Sequence, residues 1–322
     1  MEIFIKKNKD GKYDTELFNL LKSLPKEYTF NKEHGLREPL AFYHISTSRL
    51  VNAAKNLINT LEPQAGKISD DRMKKIQLDH EELLESIMSF VDSGYQIMKC
   101  LYPKSRVQEK IILSDQWLIK ADSMIFREYK SLIRPYREKT AEIVNKVKHE
   151  NAICCLIQGR TAYGTVLGYY LQSVDENGAI IPNKKVHKDF NGIHTGISYN
   201  KDILDQILNI FIICNHMTKT IKKILKKEHN IDIEIHDFEE NDKNMAELLE
   251  LTKIVKKLFL SNEYNKDDFP QIDFLNEDIR IKKPAYSGYM KKLFEPKEYE
   301  MSVIFTFYGE RTIALPYFKG ES

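Results

Sequence analysis

Apolar side chains recur every three or four positions between residues 39 and 150, a spacing typical of helices with one buried face. Prolines and a serine cap divide this stretch, because proline interrupts a helix and serine satisfies the free N–H groups of a first turn. The divisions predict four consecutive helices, over residues 39–62, 70–102, 108–133 and 135–150. Four helices with short connections favour an antiparallel bundle.

The boundary between the third and fourth helices depends on Pro135. Proline fits the first turn of a helix, where its missing N–H costs nothing, so Pro135 is predicted to begin the fourth helix. The apolar stripes of these two helices should face the interior of the bundle. The side chains that we expect to be buried there are Trp117, Ile125, Leu132, Val144 and Val147.

Outside the bundle, short alternating segments mix with further helical ones. The predicted strands are residues 1–7, 153–157, 164–171, 179–181, 301–307 and 312–316, and the predicted helices are residues 15–23, 201–227 and 244–260. Asn200 should cap the helix over 201–227, and the C-terminal hairpin is predicted to pair with the N-terminal strand.

The predicted fold class is therefore α+β, mostly α. A lead-in with one strand occupies residues 1–38, and an N-terminal four-helix bundle occupies residues 39–151. A C-terminal mixed region of small β-hairpins and two long helices occupies residues 152–322.

The charge of the whole chain neither requires nor excludes a polyanionic partner, because 49 basic and 47 acidic residues leave a net charge of +2. Nucleic-acid binding would need a local cationic patch. The candidate patch is Lys219, Lys222, Lys223 and Lys226, followed by Lys227. An acidic segment over residues 231–242 follows the patch. If its carboxylates neutralise the lysines, the patch is a solvated helix face and not an RNA site.

The four cysteines form no CxxC pair, which favours reduced, mostly buried thiols and a cytoplasmic protein. The most apolar run, residues 203–214, is too short and too polar for a membrane span, so no membrane partner is expected. His187, His194, Cys214 and His216 lack the spacing of zinc sites, and neither a metal nor another cofactor is predicted. Frequent Lys, Ile and Asn are typical of AT-rich bacterial coding.

Candidate chemistry is concentrated on the helix predicted over residues 135–150. At 100° per residue, Asn145 and His149 share one edge of this helix, and Arg137 and Lys148 share another about a quarter-turn away. Imidazole can act as a general acid or base near neutral pH, and cations can stabilise charge that develops on phosphorus. The alternative is that these groups are solvated or complement the negative end of the helix dipole.

The helices over residues 39–151, ending in the polar segment Asn145-Lys-Val-Lys-His149, resemble the HEPN superfamily of helical nucleotide-binding and ribonuclease modules. The resemblance implies a bacterial defence or toxin setting, RNA as a partner and a homodimer that joins two such helices. Catalytic members carry Arg and His separated by four to six residues. The corresponding positions before His149 are Glu142, Ile143 and Val144, which depart from that motif.

Three functions are consistent with the sequence. The leading interpretation is a HEPN-like binding or assembly module without catalysis. The second is a metal-independent endoribonuclease that uses Arg137, Asn145, Lys148 and His149. The third is a structural protein that recognises a protein partner and has no nucleic-acid role, which would show no salt-dependent RNA binding.

Overall fold

The structure is a computed structural model of the 322-residue chain. It describes residues 2–7, 13–62, 68–161, 164–174, 176, 178, 180–187, 189–190, 193–194, 196–236, 238, 241–260, 263, 271–275, 278–282 and 300–303.

The described chain is mostly helical, with a few small antiparallel sheets, which confirms the predicted α+β class. The helices are α1 (Glu16–Lys22), α2 (Asn31–His34), α3 (Pro39–Leu61), α4 (Asp70–Lys99), α5 (Ser114–Ala121), α6 (Ser123–Glu150), α7 (Tyr199–His229) and α8 (Lys243–Ile254).

The strands form three antiparallel sheets. They are β1 (Glu2–Lys6), β2 (Cys154–Thr161), β3 (Gly164–Val174), β4 (Ile180–Pro182), β5 (Asp189–Phe190), β6 (Ile193–His194), β7 (Ile197–Ser198), β8 (Gln271–Phe274), β9 (Asp278–Lys282) and β10 (Glu300–Val303). The sheet orders are β1-β9-β8, β10-β2-β3-β4 with β7 also on β3, and β5-β6.

The prediction that the C-terminal hairpin pairs with the N-terminal strand is wrong for the part that is described. Strand β1 pairs with β9, in register from Glu2 opposite Lys282, and β10 pairs with β2. Buried Ile3 and Ile5 lie opposite buried Ile281 and Ile279, so apolar matching favours β9 as the partner of β1. Residues 304–322, including the predicted strand 312–316, lie outside the described residues.

Helix α6 runs unbroken through Pro135, so the predicted boundary between the third and fourth helices is wrong. The break lies at Asp122, whose carboxylate accepts the N–H of Ile125 at 3.2 Å and caps the helix. Pro135 removes the donor for the carbonyl of Ser131. Both residues are exposed, so water can hydrate that carbonyl and the helix tolerates the proline.

The predicted cap of the long helix after residue 200 is also wrong. Ser198 caps α7 by accepting the N–H of Lys201 at 3.3 Å, and the helix starts at Tyr199. Asn200 instead donates through its side chain to the carbonyl of Leu258 at 3.0 Å.

Most of the expected core positions are buried, and one is not. Trp117, Ile125 and Val144 are 3%, 5% and 8% exposed, and Val147 is partly buried against the same core. Leu132 is 40% exposed, so its predicted burial is wrong. Ile133 takes the core position because it follows Tyr129 by four residues, which places both side chains on one face of a continuous helix.

One hydrophobic core extends from the bundle helices into the region after residue 152. Helix α7 packs against α6, α1 and α4, and α8 packs against α3. The division of the chain at residue 151 stays a prediction, and the described core is continuous across it.

Helix α7 contains the most apolar run of the chain, yet the buried polar residues Asp202, Gln206 and Asn209 interrupt it. Within the described ranges, every helix is too short or too polar to cross a bilayer.

Candidate functional site

The polar groups of α6 are spread along the helix. Arg137 and His149 are twelve residues apart on one unbroken helix, which places them about 18 Å apart along its axis at 1.5 Å per residue. Asn145 and His149 are exposed, lie one turn apart, and have side chains that make no hydrogen bond to any described residue. Lys148 is exposed on the side facing α4, where its ammonium lies 3.3 Å from Glu85.

Arg137 lies at the interface of α6 with α4 and has an unusual environment. Its side chain is partly buried, and its Nε atom is fully buried without a hydrogen-bond partner in the described part of the chain. The hydroxyls of Tyr95 on α4 and Tyr129 on α6 are also buried and have no hydrogen-bond partner among the described residues. The two tyrosine rings meet edge to face, with centroids 5.7 Å apart. Three hydrogen-bond donors therefore lie in this interface without acceptors.

Both phenols near Arg137 remain protonated at neutral pH. Burial raises the pKa of Tyr95 to about 12, and it raises the pKa of Tyr129 well above its ordinary value. The Arg137 guanidinium opposes both increases.

The predicted cationic patch on α7 is largely neutralised. Each of its last four lysines pairs with a carboxylate: Lys222 with Glu16 at 2.6 Å, Lys223 with Glu128 at 2.5 Å, Lys226 with Asp232 at 2.5 Å, and Lys227 with Asp122. Lys219 is exposed. Only Asp232 among these carboxylates comes from the acidic segment that the sequence suggested as the source of neutralisation.

A buried polar cluster surrounds Asp202, and the sequence did not predict it. The carboxylate of Asp202 is 1% exposed and lies at the first turns of α7. Its Oδ2 atom accepts from Tyr169 at 2.9 Å and contacts His80 Nε2 at 3.2 Å, and its Oδ1 atom accepts from Lys139 at 3.0 Å. Gln206 also donates to Oδ1, at 3.4 Å. The cluster joins α4, α6, α7 and β3.

Asp202 stays ionised despite its burial. Burial alone would raise the pKa of Asp202, but the Lys139 ammonium and the His80 imidazole outweigh it and hold this pKa far below its usual range. The four donors replace the hydration that the carboxylate loses. The one sequence signal for this cluster is that Asp202 and Gln206 interrupt an apolar stripe at helical spacing.

His187, His216 and Cys214, which the sequence suggested as possible metal ligands, each have a different environment in the fold. His187 is buried and accepts the N–H of Leu171 at 2.7 Å. His216 is buried beside Tyr136, and burial lowers its pKa. Cys214 is a buried free thiol, and the backbone of His194 lies in β6. Across the described segments, no three His, Cys, Asp or Glu residues are grouped to hold a metal ion.

Comparisons with known proteins gave no relative. No protein-family model matches the chain, and neither a search of curated proteins nor a search of solved structures found a similar one.

Proposed function

We propose that this chain is a binding module that holds single-stranded RNA along the polar edges of α6. The observation that carries the proposal is the linear spread of Arg137, Lys148 and His149 over about 18 Å of one continuous helix. A strand laid along the helix can therefore present several phosphates in turn to these groups.

The same spacing favours binding over cleavage. A general acid or base and the groups that stabilise the transition state must meet at one phosphorus, within hydrogen-bond reach of it. Arg137 is too distant from His149 to act on the same phosphate within one chain. An endoribonuclease built from Arg137, Asn145, Lys148 and His149 would need a second α6 from a homodimer, and we rank it second.

Helix α6 is a better RNA surface than the lysine patch of α7. Four of the five lysines on α7 already have carboxylate partners, and displacing those partners would cancel part of the gain from binding phosphate. On α6, Lys148 is likewise paired with Glu85, whereas the Nε atom of Arg137 has no hydrogen-bond partner among the described residues. An N–H group without a hydrogen-bond partner gains one when a phosphate oxygen binds to it.

The setting of this function rests on the HEPN resemblance of residues 39–151, which suggests a cytoplasmic bacterial protein of a phage-defence or toxin system. A protein partner, including a second copy of this chain, is compatible with a binding module. A purely structural protein is distinguished from it by the absence of RNA binding.

The test compares two arginines of α6 by fluorescence anisotropy with labelled single-stranded RNA at several salt concentrations. Arg137→Ala should weaken binding about tenfold, a loss of roughly 1.4 kcal/mol for one phosphate contact. Arg134→Ala is the matched control, because Arg134 is exposed and already paired with Glu138 at 3.0 Å. It should change the affinity less than about twofold. Equal losses in both variants, or no RNA binding by the parent protein, would refute the proposal.

A further inference from the structure

The segment that leaves α7 has the burial pattern of a strand. Residues 231–236 lie in neither a helix nor a sheet. Three isoleucines that pack against the core alternate there with three exposed polar residues, in the order Ile231, Asp232, Ile233, Glu234, Ile235 and His236. Alternation of this kind is typical of an extended chain with one buried face. The segment therefore has the form of a strand without a partner strand in the described chain.

Most backbone groups of the 231–236 segment make no hydrogen bond within the described part of the protein. The N–H of Ile231 donates to the carbonyl of Leu225 at 3.4 Å, and the N–H of His236 donates to the Ser23 hydroxyl at 3.4 Å. Between these two ends, the N–H and C=O groups of residues 232–235 have no partner among the described residues. Unpaired backbone groups along an extended chain can hydrogen-bond to an added strand.

Side-chain contacts hold the 231–236 segment in place. Asp232 pairs with Lys226 of α7 at 2.5 Å. Two residues beyond the segment, the ring of Phe238 lies against α1, with its centroid 4.5 Å from the Lys22 ammonium. A partner strand would therefore meet a backbone that is already extended, and less conformational entropy is lost on binding.

The charge of this part of the chain favours a basic partner. Residues 231–240 include five carboxylates and neither lysine nor arginine. Lys226 balances Asp232, so Glu234 is the exposed carboxylate that a basic side chain on an added strand would face. On the other face of the segment, the isoleucines favour apolar, β-branched neighbours.

We infer that residues 231–236 bind an extended peptide by strand addition, and that basic and apolar side chains alternate along this peptide. The inference does not depend on RNA binding, because the segment lies outside α6. A second copy of this chain is a poor occupant. Antiparallel pairing centred on Ile233 would place Asp232 opposite Glu234, and like charges directly opposite each other destabilise a sheet.

The first experiment measures binding of a labelled peptide, Thr-Val-Lys-Val-Lys-Val-Thr, by fluorescence anisotropy. The parent protein should bind it at least about tenfold more tightly than the same peptide with Glu in place of both Lys. Glu234→Lys should weaken binding of the lysine peptide about tenfold, because a repulsion replaces an attraction. Glu250→Lys makes the same change at an exposed carboxylate of α8 and is the matched control. It should change the affinity less than about twofold.

Methylation of alternate amide nitrogens in the peptide separates strand addition from attraction between charges. Successive N–H groups of a strand point to opposite edges, so methylating one alternate set blocks pairing and methylating the other set leaves it intact. One of the two methylated peptides should lose binding, and the other should keep it. Equal effects of the two methylations, or no binding of the unmethylated lysine peptide, would overturn the inference.

Hydrogen exchange locates the site on the protein. In the free protein the amides of residues 232–235 should exchange rapidly, because they have no acceptor in the described chain. The bound peptide should protect alternate amides of this stretch, either those of Ile233 and Ile235 or those of Asp232 and Glu234. Protection of consecutive amides, or protection confined to other parts of the chain, would overturn the inference and leave RNA binding along α6 to its own test.

Discussion

Asp202 is a carboxylate inside the most apolar helix of the chain, and its environment explains how it is accommodated. Tyr169, Lys139 and Gln206 donate to it, and His80 contacts it, from four different elements. Lys139 balances the charge and keeps part of its side chain in solvent, with 38% of it exposed. The cluster therefore fixes the relative positions of α4, α6, α7 and β3 at the cost of burying one ion pair.

Asp202→Asn should destabilise the protein at pH 7 by about 3 kcal/mol, because it removes the charge that pairs with Lys139 and holds four donors. The folded-state pKa of Asp202 lies below the unfolded value, so its contribution is present above about pH 4 and is lost as the pH falls further. Urea unfolding at pH 7 and pH 3 measures this. The stability difference between variant and parent should shrink at pH 3.

A matched control for this substitution is Glu138→Gln, which removes an exposed carboxylate from α6 and should leave the unfolding midpoint close to that of the parent. The free energies of unfolding of Asp202→Asn and the parent are compared at both pH values. If their difference stays constant from pH 7 to pH 3, Asp202 is not an ionised, buried carboxylate.

The pKa of Asp242 is shifted in the opposite direction to that of Asp202, so Asp242 also makes the stability depend on pH. The test therefore compares the stability of the Asp202 variant with that of the parent at each pH. Burial raises the pKa of Asp242 to about 6, although Tyr43 and Thr15 donate to the carboxylate and the N–H of Met245 also binds it. A raised pKa stabilises the fold at low pH, and this contribution is lost as the pH rises through about 6. It is common to the parent and the Asp202 variant and cancels in the difference.

Helix α6 illustrates what local sequence can predict at the scale of an element. The apolar period gave the helix and the burial of Ile125 and Val144. The same period did not reveal that Pro135 lies inside the helix, because tolerance of a proline depends on whether the freed carbonyl of Ser131 reaches water. The error at Leu132 has a different cause: Leu132 follows Tyr129 by three residues and Ile133 follows it by four, and the helical period allows either position to face the core.

Val144→Asp tests the packing of α6. Val144 is 8% exposed on the core side of the helix, so an aspartate there would bury a charge without a partner and should cost about 3 kcal/mol or more. Asn145→Asp puts the same charge on the adjacent, exposed position and should change the stability little. Thermal melting followed by circular dichroism measures both. A Val144→Asp protein that melts within a degree or two of the parent would show that this face of α6 is not packed.

For the whole molecule, the sequence predicted the fold class better than it predicted which distant segments contact each other. The fold class and the positions of most helices follow from periodicity, which is a local property. The paired residues of β1 and β9 are 272 or more positions apart in the chain, and His80 and Asp202 are 122 apart. No local pattern encodes such contacts, so the Asp202 cluster became visible only in the folded chain.

We propose that α6 binds RNA without cleaving it, because its polar groups lie in a line along the helix. The most direct measurement incubates the protein with labelled single-stranded RNA in EDTA, at a concentration where anisotropy reports binding, and follows RNA length on a denaturing gel. The RNA should remain intact, and His149→Ala should change nothing on the gel. Metal-free cleavage that falls about a hundredfold in His149→Ala, with an unchanged melting temperature, would contradict binding without cleavage and make the protein a ribonuclease.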